Sequence, residues 1–189
     1  MAELRITAGE FKNQKLGVPD SAKPVMERVK LAVFSIIGSD IIGSKCLDLF
    51  AGSGNLGFEA LSRGATHCDF IEDDFFAIKS IKENHKKLED KYQREIPAKI
   101  IKSEVLKYIN NIYEHYDFIF IDPPYAEKHI VHIFKTIDEI LKPEGKIFYF
   151  SENILNLSEN ITKINESLKI TDSRRYAKTL VEVLETKTN

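Results

Sequence analysis

Tryptophan is missing from this chain of 189 residues, and cysteine, methionine, proline and glycine are scarce, at two, two, six and nine copies. So little proline and glycine excludes collagen-like and low-complexity chains, and a hydrophobic content of 43% is too high for intrinsic disorder. Cys46 and Cys68 each lie inside an apolar run. Two such thiols make neither a disulfide framework nor a zinc site, and they read as buried free thiols in a reducing compartment. No apolar run reaches the ~18–20 residues that span a bilayer. An excess of either charge is also lacking: 27 Lys and Arg stand against 29 Asp and Glu, for a net charge of -2. That argues against a uniformly nucleic-acid-coating protein while leaving room for a local basic face. The opening Met1-Ala2-Glu3-Leu4-Arg5 has no basic stretch leading into an apolar core, so no secretory leader is expected. The expectation is a soluble, cytoplasmic, monomeric protein with no membrane partner, and the length favours one domain with at most a small appendage.

The chain does carry a clear alternation of patterns. Residues 4–18 read as a small hairpin turning near Gly9, followed by an apolar stripe of helical period (Met26, Val29, Val33, Ile36, Ile37) that Gly38 ends. From residue 45 onward, short apolar runs alternate with amphipathic stretches. Strands are expected at Cys46–Phe50, Cys68–Ile71, Ala98–Ile101, Phe118–Ile121 and Ile147–Phe150. Helices are expected at 56–63, 78–88, 105–112, from Ile130 to Leu141 with a stop at Pro143-Glu144-Gly145, and at 154–166. Two last strands, at 168–170 and 179–183, are joined by a polar turn. The expected fold is α/β: a mostly parallel seven-stranded sheet, Rossmann-like, with helices on both faces and a small N-terminal hairpin-plus-helix extension. The boundary is expected near residue 43, with 1–43 as the extension and 44–189 as the main domain. Ligands of such sheets bind at the carboxyl ends of the strands, beside the point where strand order reverses.

Three strand ends carry chemistry. After the first run comes Gly52-x-Gly54-x-x-Gly57, a tight strand-to-helix turn whose free N–H groups suit an anion or a nucleoside cofactor. Glu72 ends the second run, where a carboxylate can accept the hydroxyls of a ribose. Ser103 and Glu104 end the third, at the place of an adenine edge. NAD and S-adenosylmethionine satisfy these signals equally. The fourth run separates them, because it ends in Asp122-Pro123-Pro124-Tyr125. Two prolines fix the backbone and remove two N–H donors, leaving the Asp122 carboxylate and backbone carbonyls as acceptors. Such a corner can hold an exocyclic amine, and Tyr125 can stack on its base. A hydride-transferring enzyme has no use for it, and no Tyr-x-x-x-Lys proton donor follows a middle strand. A non-catalytic RNA-binding relative would not need the tetrad. A DNA adenine-N6 enzyme could use Asp-Pro-Pro-Tyr, but only 68 positions separate Gly54 from Asp122, which leaves no room there for a DNA-reading domain. His129 and His132 have no third ligand nearby and read as a solvated helix face, so no metal is expected.

The pair Asp48-Leu49-Phe50-Ala51-Gly52-Ser53-Gly54 and Asp122-Pro123-Pro124-Tyr125 resembles two motifs of class I S-adenosylmethionine-dependent amino-methyltransferases. With Arg5-Ile6-Thr7-Ala8-Gly9, Arg28-Val29-Lys30 and Leu56-Gly57-Phe58-Glu59-Ala60-Leu61-Ser62-Arg63-Gly64-Ala65, the chain resembles the RsmD family of bacterial 16S rRNA guanine-N2 methyltransferases. It departs from that pattern at Lys23-Pro24-Val25-Met26-Glu27-Arg28, where the family has Arg-Pro-Thr-x-Asp-Arg, and at Asn13-Gln14, where the family has Gly-Arg. The resemblance implies S-adenosylmethionine as cofactor, held by Asp48, Ala51, Gly52, Ser53, Gly54, Glu72, Asp73, Ser103, Glu104 and Asp122. It implies catalysis by Asp122, Pro123, Pro124 and Tyr125, and 16S rRNA or the assembling small ribosomal subunit as partner. Lys12, Lys15, Lys23, Arg28, Arg174, Arg175 and Lys178 are the candidate phosphate contacts.

Overall fold

The computed structural model describes residues 4–19, 25–124, 129–151 and 157–187. Strands β1 (Leu4–Arg5) and β2 (Lys15–Leu16) form an antiparallel hairpin that leads into helix α1 (Glu27–Ile37). Then follow β3 (Lys45–Leu49), α2 (Asn55–Ser62), β4 (His67–Glu72), α3 (Phe75–Tyr92), β5 (Ala98–Lys102) and α4 (Val105–Ile109). The second half runs β6 (Tyr116–Ile121), α5 (Ile130–Thr136), β7 (Leu141–Ser151), α6 (Leu157–Ile164), β8 (Leu168–Tyr176) and β9 (Thr179–Thr186). The main sheet has the order β5-β4-β3-β6-β7-β9-β8, parallel through β7, with β9 antiparallel to both its neighbours. This is the seven-stranded doubly wound sheet expected from the sequence. Strand order reverses between β3 and β6.

A period of two along the central strands assigns each face its core. In β6, Phe118 and Phe120 join the cluster that includes Val33, Phe34, Phe58 and Phe70 from the α1–α2 side. Ile119 and Ile121 join Ile130, Ile133 and Phe134 of α5 on the other face. Strand β7 alternates in the same way, with Phe148 and Phe150 on one face and Ile147 and Tyr149 on the other. A strand buried on both faces must be apolar throughout, which is why the 118–121 run has no polar residue. The hairpin residues Leu4, Ile6, Phe11 and Leu16 share the first of these cores.

Two expected boundaries move. The helix after Ile130 gives way to a 3-10 turn over 137–140, and Leu141 already pairs with Tyr116 of β6. Pairing is irregular between Tyr116 and Phe118, where Glu144 takes a left-handed φ of 65°. The Pro143-Glu144-Gly145 signal therefore marks an irregularity inside a strand, and the stop of the helix comes earlier. The polar stretch 171–176 is not a turn but most of the edge strand β8. Its polar residues suit a strand with one neighbour and one free edge.

The hairpin is fastened to α2 by buried charge. Glu59, fully buried, accepts Thr7 N–H at 2.8 Å, the Thr7 hydroxyl at 2.5 Å, Ala8 N–H at 3.1 Å and Arg63 Nε at 2.8 Å. The equally buried Lys30 of α1 lies 3.0 Å from Glu59 and also donates to the Arg5 carbonyl and to Asn55 Oδ1. Burial alone would raise the Glu59 carboxyl; the Lys30 ammonium and the Thr7 donors outweigh it and hold the group below its usual range. Gly9 has a left-handed φ of 79°, and a Cβ there would lie 1.8 Å from the Ser62 carbonyl oxygen, so no other residue lets the hairpin seat on α2. Breaking a buried pair strands the remaining charge and costs about 3–5 kcal/mol. Glu59→Ala should therefore lose about that much unfolding free energy in urea at neutral pH, against less than about 1 kcal/mol for Lys86→Ala in the exposed Lys86–Asp90 pair. Similar losses for the two variants would refute this account.

Candidate active site at the carboxyl ends of the strands

Parallel pairing of Leu49 with Ile121 brings the ends of β3 and β6 level, so Phe50 and Asp122 leave the sheet side by side at the reversal point. The turn after β3 is tied down on both sides. Asp48, 2% exposed, accepts the Gly57 N–H at 2.9 Å across the first turn of α2. The Glu72 carboxylate accepts Gly52 N–H at 2.8 Å with one oxygen, and Asp73 and Asp74 N–H at 2.9 and 3.0 Å with the other. Ala51 N–H donates to the Ile71 carbonyl, and Asn84 of α3 donates to that of Ser53. Gly57 is required by packing. A Cβ there would lie 2.3 Å from the Phe70 ring and 2.8 Å from the Cys68 sulfur.

One polar atom in this turn is left over. The hydroxyl oxygen of Ser53, a residue 2% exposed, is buried and has no hydrogen-bond partner. Such an orphan is costly unless something else supplies its bond. Beside the turn a cleft of about 350 Å³ opens, lined by Glu72, Asp73, Ser103 and Glu104, four residues expected for the cofactor. Sequence reasoning missed the rest of its wall: Phe50, Val105, Leu106, Ile133 and His129. The readable signal was position, since Phe50 directly follows β3 and Val105-Leu106 begin the helix after Ser103-Glu104. His129 faces the cleft from the start of α5, and among the described residues no cluster of His, Cys, Asp or Glu could hold a metal ion. The α4 wall is braced from beneath. Tyr108 of α4 lies 3.0 Å, hydroxyl to hydroxyl, from Tyr116, and both donate to the fully buried Asp69 carboxylate.

Acidic groups converge at the reversal point. Burial holds the Asp48 carboxyl well above the usual carboxylate range, against the pull of the Gly57 bond, and the charges of Asp122 and Glu72 push it the same way. Burial also raises Glu72, despite its three backbone donors. Asp122 and Pro123 are half-buried at the tip of β6 and Pro124 is exposed. Tyr125 lies outside the described residues, as does Lys23.

The remaining cations do not form one patch. The pairing of Ser151 with Leu180, and of Leu180 with Arg175, brings Arg174, Arg175 and Lys178 to the same end of the sheet as Asp122. Arg174 is engaged with Asp172 at 2.7 Å. Arg28 is exposed on the first turn of α1, near Val25, whose carbonyl accepts from Asn55 at the start of α2. Lys15 lies on β2, paired with Arg5 of β1. Lys12 sits at the hairpin tip, next to residues bound to Ser62 at the far end of α2 and to Tyr92 at the far end of α3.

A family model described as "Conserved hypothetical protein 95" matches residues 4–185. The ribosomal RNA small subunit methyltransferase D of Haemophilus influenzae is 35% identical, with 87% of this chain and 88% of the relative covered. The protein of that name from Escherichia coli is 33% identical over 79% of this chain and 75% of its own. Among solved structures, a Thermus thermophilus 16S rRNA N2 G1207 methyltransferase in complex with AdoMet and guanosine has the same fold. It superposes with a TM-score of 0.77 at 20% identity, over 98% of this chain and 50% of that one.

The Asp48 charge has a sign that can be measured. A carboxyl whose folded pKa is raised costs stability once the pH passes its unfolded value of about 4, and the cost grows until the folded pKa is passed. Asn at 48 still offers an oxygen to Gly57 and removes the charge. The melting temperature of Asp48→Asn relative to wild type should therefore climb as the pH rises above about 4. A difference that is flat or shrinks with pH would contradict the assignment.

Proposed function

The chain belongs to the family described as Conserved hypothetical protein 95, the RsmD family, and from that premise we propose that it methylates the exocyclic N2 amine of a guanine in 16S ribosomal RNA. The observation that supports the reading is the pairing of Leu49 with Ile121, which brings Asp122 level with Phe50 at the entry to the glycine turn. S-adenosylmethionine suits the residues present and supplies an activated methyl group on a sulfonium. Asp122 and Glu72 lie close enough to Asp48 to perturb it, which favours a cationic ligand at the turn. The orphan Ser53 hydroxyl offers a bond to the ligand's polar end. Glu72 already holds the turn, and a carboxylate has about four acceptor sites, so one is left for a ribose hydroxyl. Asp73, Ser103 and Glu104 line the adenosine end of the cleft, against the apolar wall of Val105 and Leu106.

A guanine amino group is delocalised into its ring and is a weak nucleophile. The Asp122 carboxylate and the Pro123 carbonyl accept its two N–H bonds, hold it against the turn and favour a pyramidal nitrogen with its lone pair aimed at the methyl. Tyr125 stacks on the extruded base, worth about 1–3 kcal/mol against an unstacking cost of a few kcal/mol. Alignment of this kind supplies roughly 7–11 kcal/mol of a barrier. Residues 1–43 serve as an RNA-binding extension of the catalytic domain, clamped to it by Glu59.

Incubation with labelled S-adenosylmethionine and small subunits lacking the modification, followed by mass-spectrometric mapping, should find one N2-methylguanosine in 16S rRNA. Methylation of adenine, or of no RNA, would overturn the reading. Asp122→Ala should cut transfer by about 10²-fold or more while S-adenosylmethionine still binds; undiminished transfer would remove Asp122 from the mechanism. For the basic face, Arg175→Gln with Lys178→Gln should flatten the salt dependence of RNA binding. Lys12→Gln, at the opposite end of the sheet, should leave it unchanged. The reverse ranking would reject the placement.

A further inference from the structure

Of the twelve phenylalanines, nine are buried and Phe50 lines the cleft; Phe75 and Phe76 remain, adjacent in sequence and 61% and 65% exposed. They are the first two residues of α3, a start that Asp74 specifies by capping the Ala77 N–H at 2.8 Å, so the helix does not need them to be aromatic. Their rings meet edge to face, with centroids 5.6 Å apart at 82°. The Lys102 ammonium stands 5.5 Å from the Phe75 centroid. Lys102 ends the edge strand β5, is paired in register with Glu72, and immediately precedes Ser103 in the cleft wall. One turn along α3, Lys79 is two-thirds exposed, its reach to Glu83 a long 3.9 Å. Two exposed aromatic rings and two cations thus lie close in sequence or register to the cleft-lining residues Glu72, Asp73 and Ser103.

We infer that Phe75, Phe76 and Lys102 form a platform for an unpaired base of the RNA that flanks the methylated nucleotide. Rings that stay exposed at helix level offer a flat surface to any base, and the ammonium beside them suits the phosphate that such a base brings. The acidic side chains of Glu72, Asp73 and Glu104 line the cleft itself, so the cationic side of this group is the one open to a polyanion. Strands β5 and β6 are three spacings apart, roughly 14 Å, so the platform serves a neighbour of the target base and not the base at Asp122. This inference rests on the RNA reading above.

The test measures binding of a short single-stranded oligoribonucleotide, KM and kcat for methylation of unmodified small subunits, and S-adenosylmethionine affinity. The Phe75→Ala/Phe76→Ala variant should bind the oligonucleotide about tenfold or more weakly and raise KM, with kcat and cofactor affinity unchanged. Phe75→Leu/Phe76→Leu, which keeps apolar area without a π-face, should lose nearly as much, whereas Phe75→Tyr/Phe76→Tyr should restore binding. Lys102→Gln should lower the salt slope by about one. Wild-type binding by the leucine variant would overturn stacking and mark an apolar protein-docking site instead. Loss of cofactor affinity would assign the pair to the cofactor cleft. If wild type binds cofactor but methylates no RNA, this inference and the reading beneath it both fall. If it methylates RNA and all variants keep wild-type KM, only the platform falls.

Discussion

The turn between β3 and α2 is held by two carboxylates that reach it from different strands, and the site depends on that double hold. Asp48 draws the first turn of α2 down onto the end of its own strand through the Gly57 N–H, while Glu72 draws Gly52 toward the end of β4. Both bonds favour the charged carboxylate, yet burial outweighs them and raises both carboxyls above their ordinary range. The folded chain keeps them where a neutral residue would cost less. Under the proposed function, local stability is given up there for a charge arrangement that a ligand completes. The orphan hydroxyl of Ser53 in the same turn has the same meaning.

A second constraint sits on the opposite surface of α2. The helix that carries the glycine turn at its start is gripped along its length by Glu59, Ser62 and Arg63, all directed at the N-terminal hairpin. Lys30 closes the arrangement from α1 and, through Asn55, reaches the first residue of α2 itself. The hairpin and α1 are therefore braces for the helix that frames the site. This explains why Gly9, Lys30, Glu59, Ser62 and Arg63, which carry the resemblance in the sequence, need not touch any ligand. They specify a docking, and the docking positions the turn.

Much of this could be read from the residues, and the failures have physical causes. Alternation of period two, uninterrupted apolar runs and glycine stops located the parallel strands, and the βα order located their ligand-bearing ends. The range 141–145 was misread because a proline and a glycine look the same in a helix stop and in a strand irregularity; only the pairing with Tyr116 distinguishes them. Glu72 was expected to wait for a ribose, yet most of its acceptor capacity goes to backbone N–H groups that no sequence pattern displays. The apolar wall of the cleft was missed for a related reason: Val105, Leu106 and Ile133 lie on helices whose patterns report burial, without reporting which end of a stripe faces a cavity. His129 read as solvated, and it is exposed, but at the cleft.

Charge placement reconciles two demands that the overall composition conceals. With a net charge of -2 the chain has no general attraction for a polyanion. Five of its 29 acids, Asp48, Glu72, Asp73, Glu104 and Asp122, stand in the turn, in the cleft or at the neighbouring strand end, an arrangement that suits a cation better than a phosphate. The cations near the site stand outside that hollow, with Arg175 and Lys178 beyond β9 on one side and Lys102 and Lys79 beyond β4 on the other. At physiological ionic strength the Debye length is about 8 Å, so each cluster acts on what lies directly against it and scarcely on the other. On the proposed function, a nucleic-acid backbone is favoured along the rims and disfavoured over the centre, and a nucleotide reaches Asp122 most readily by sending in its base while its phosphates stay outside.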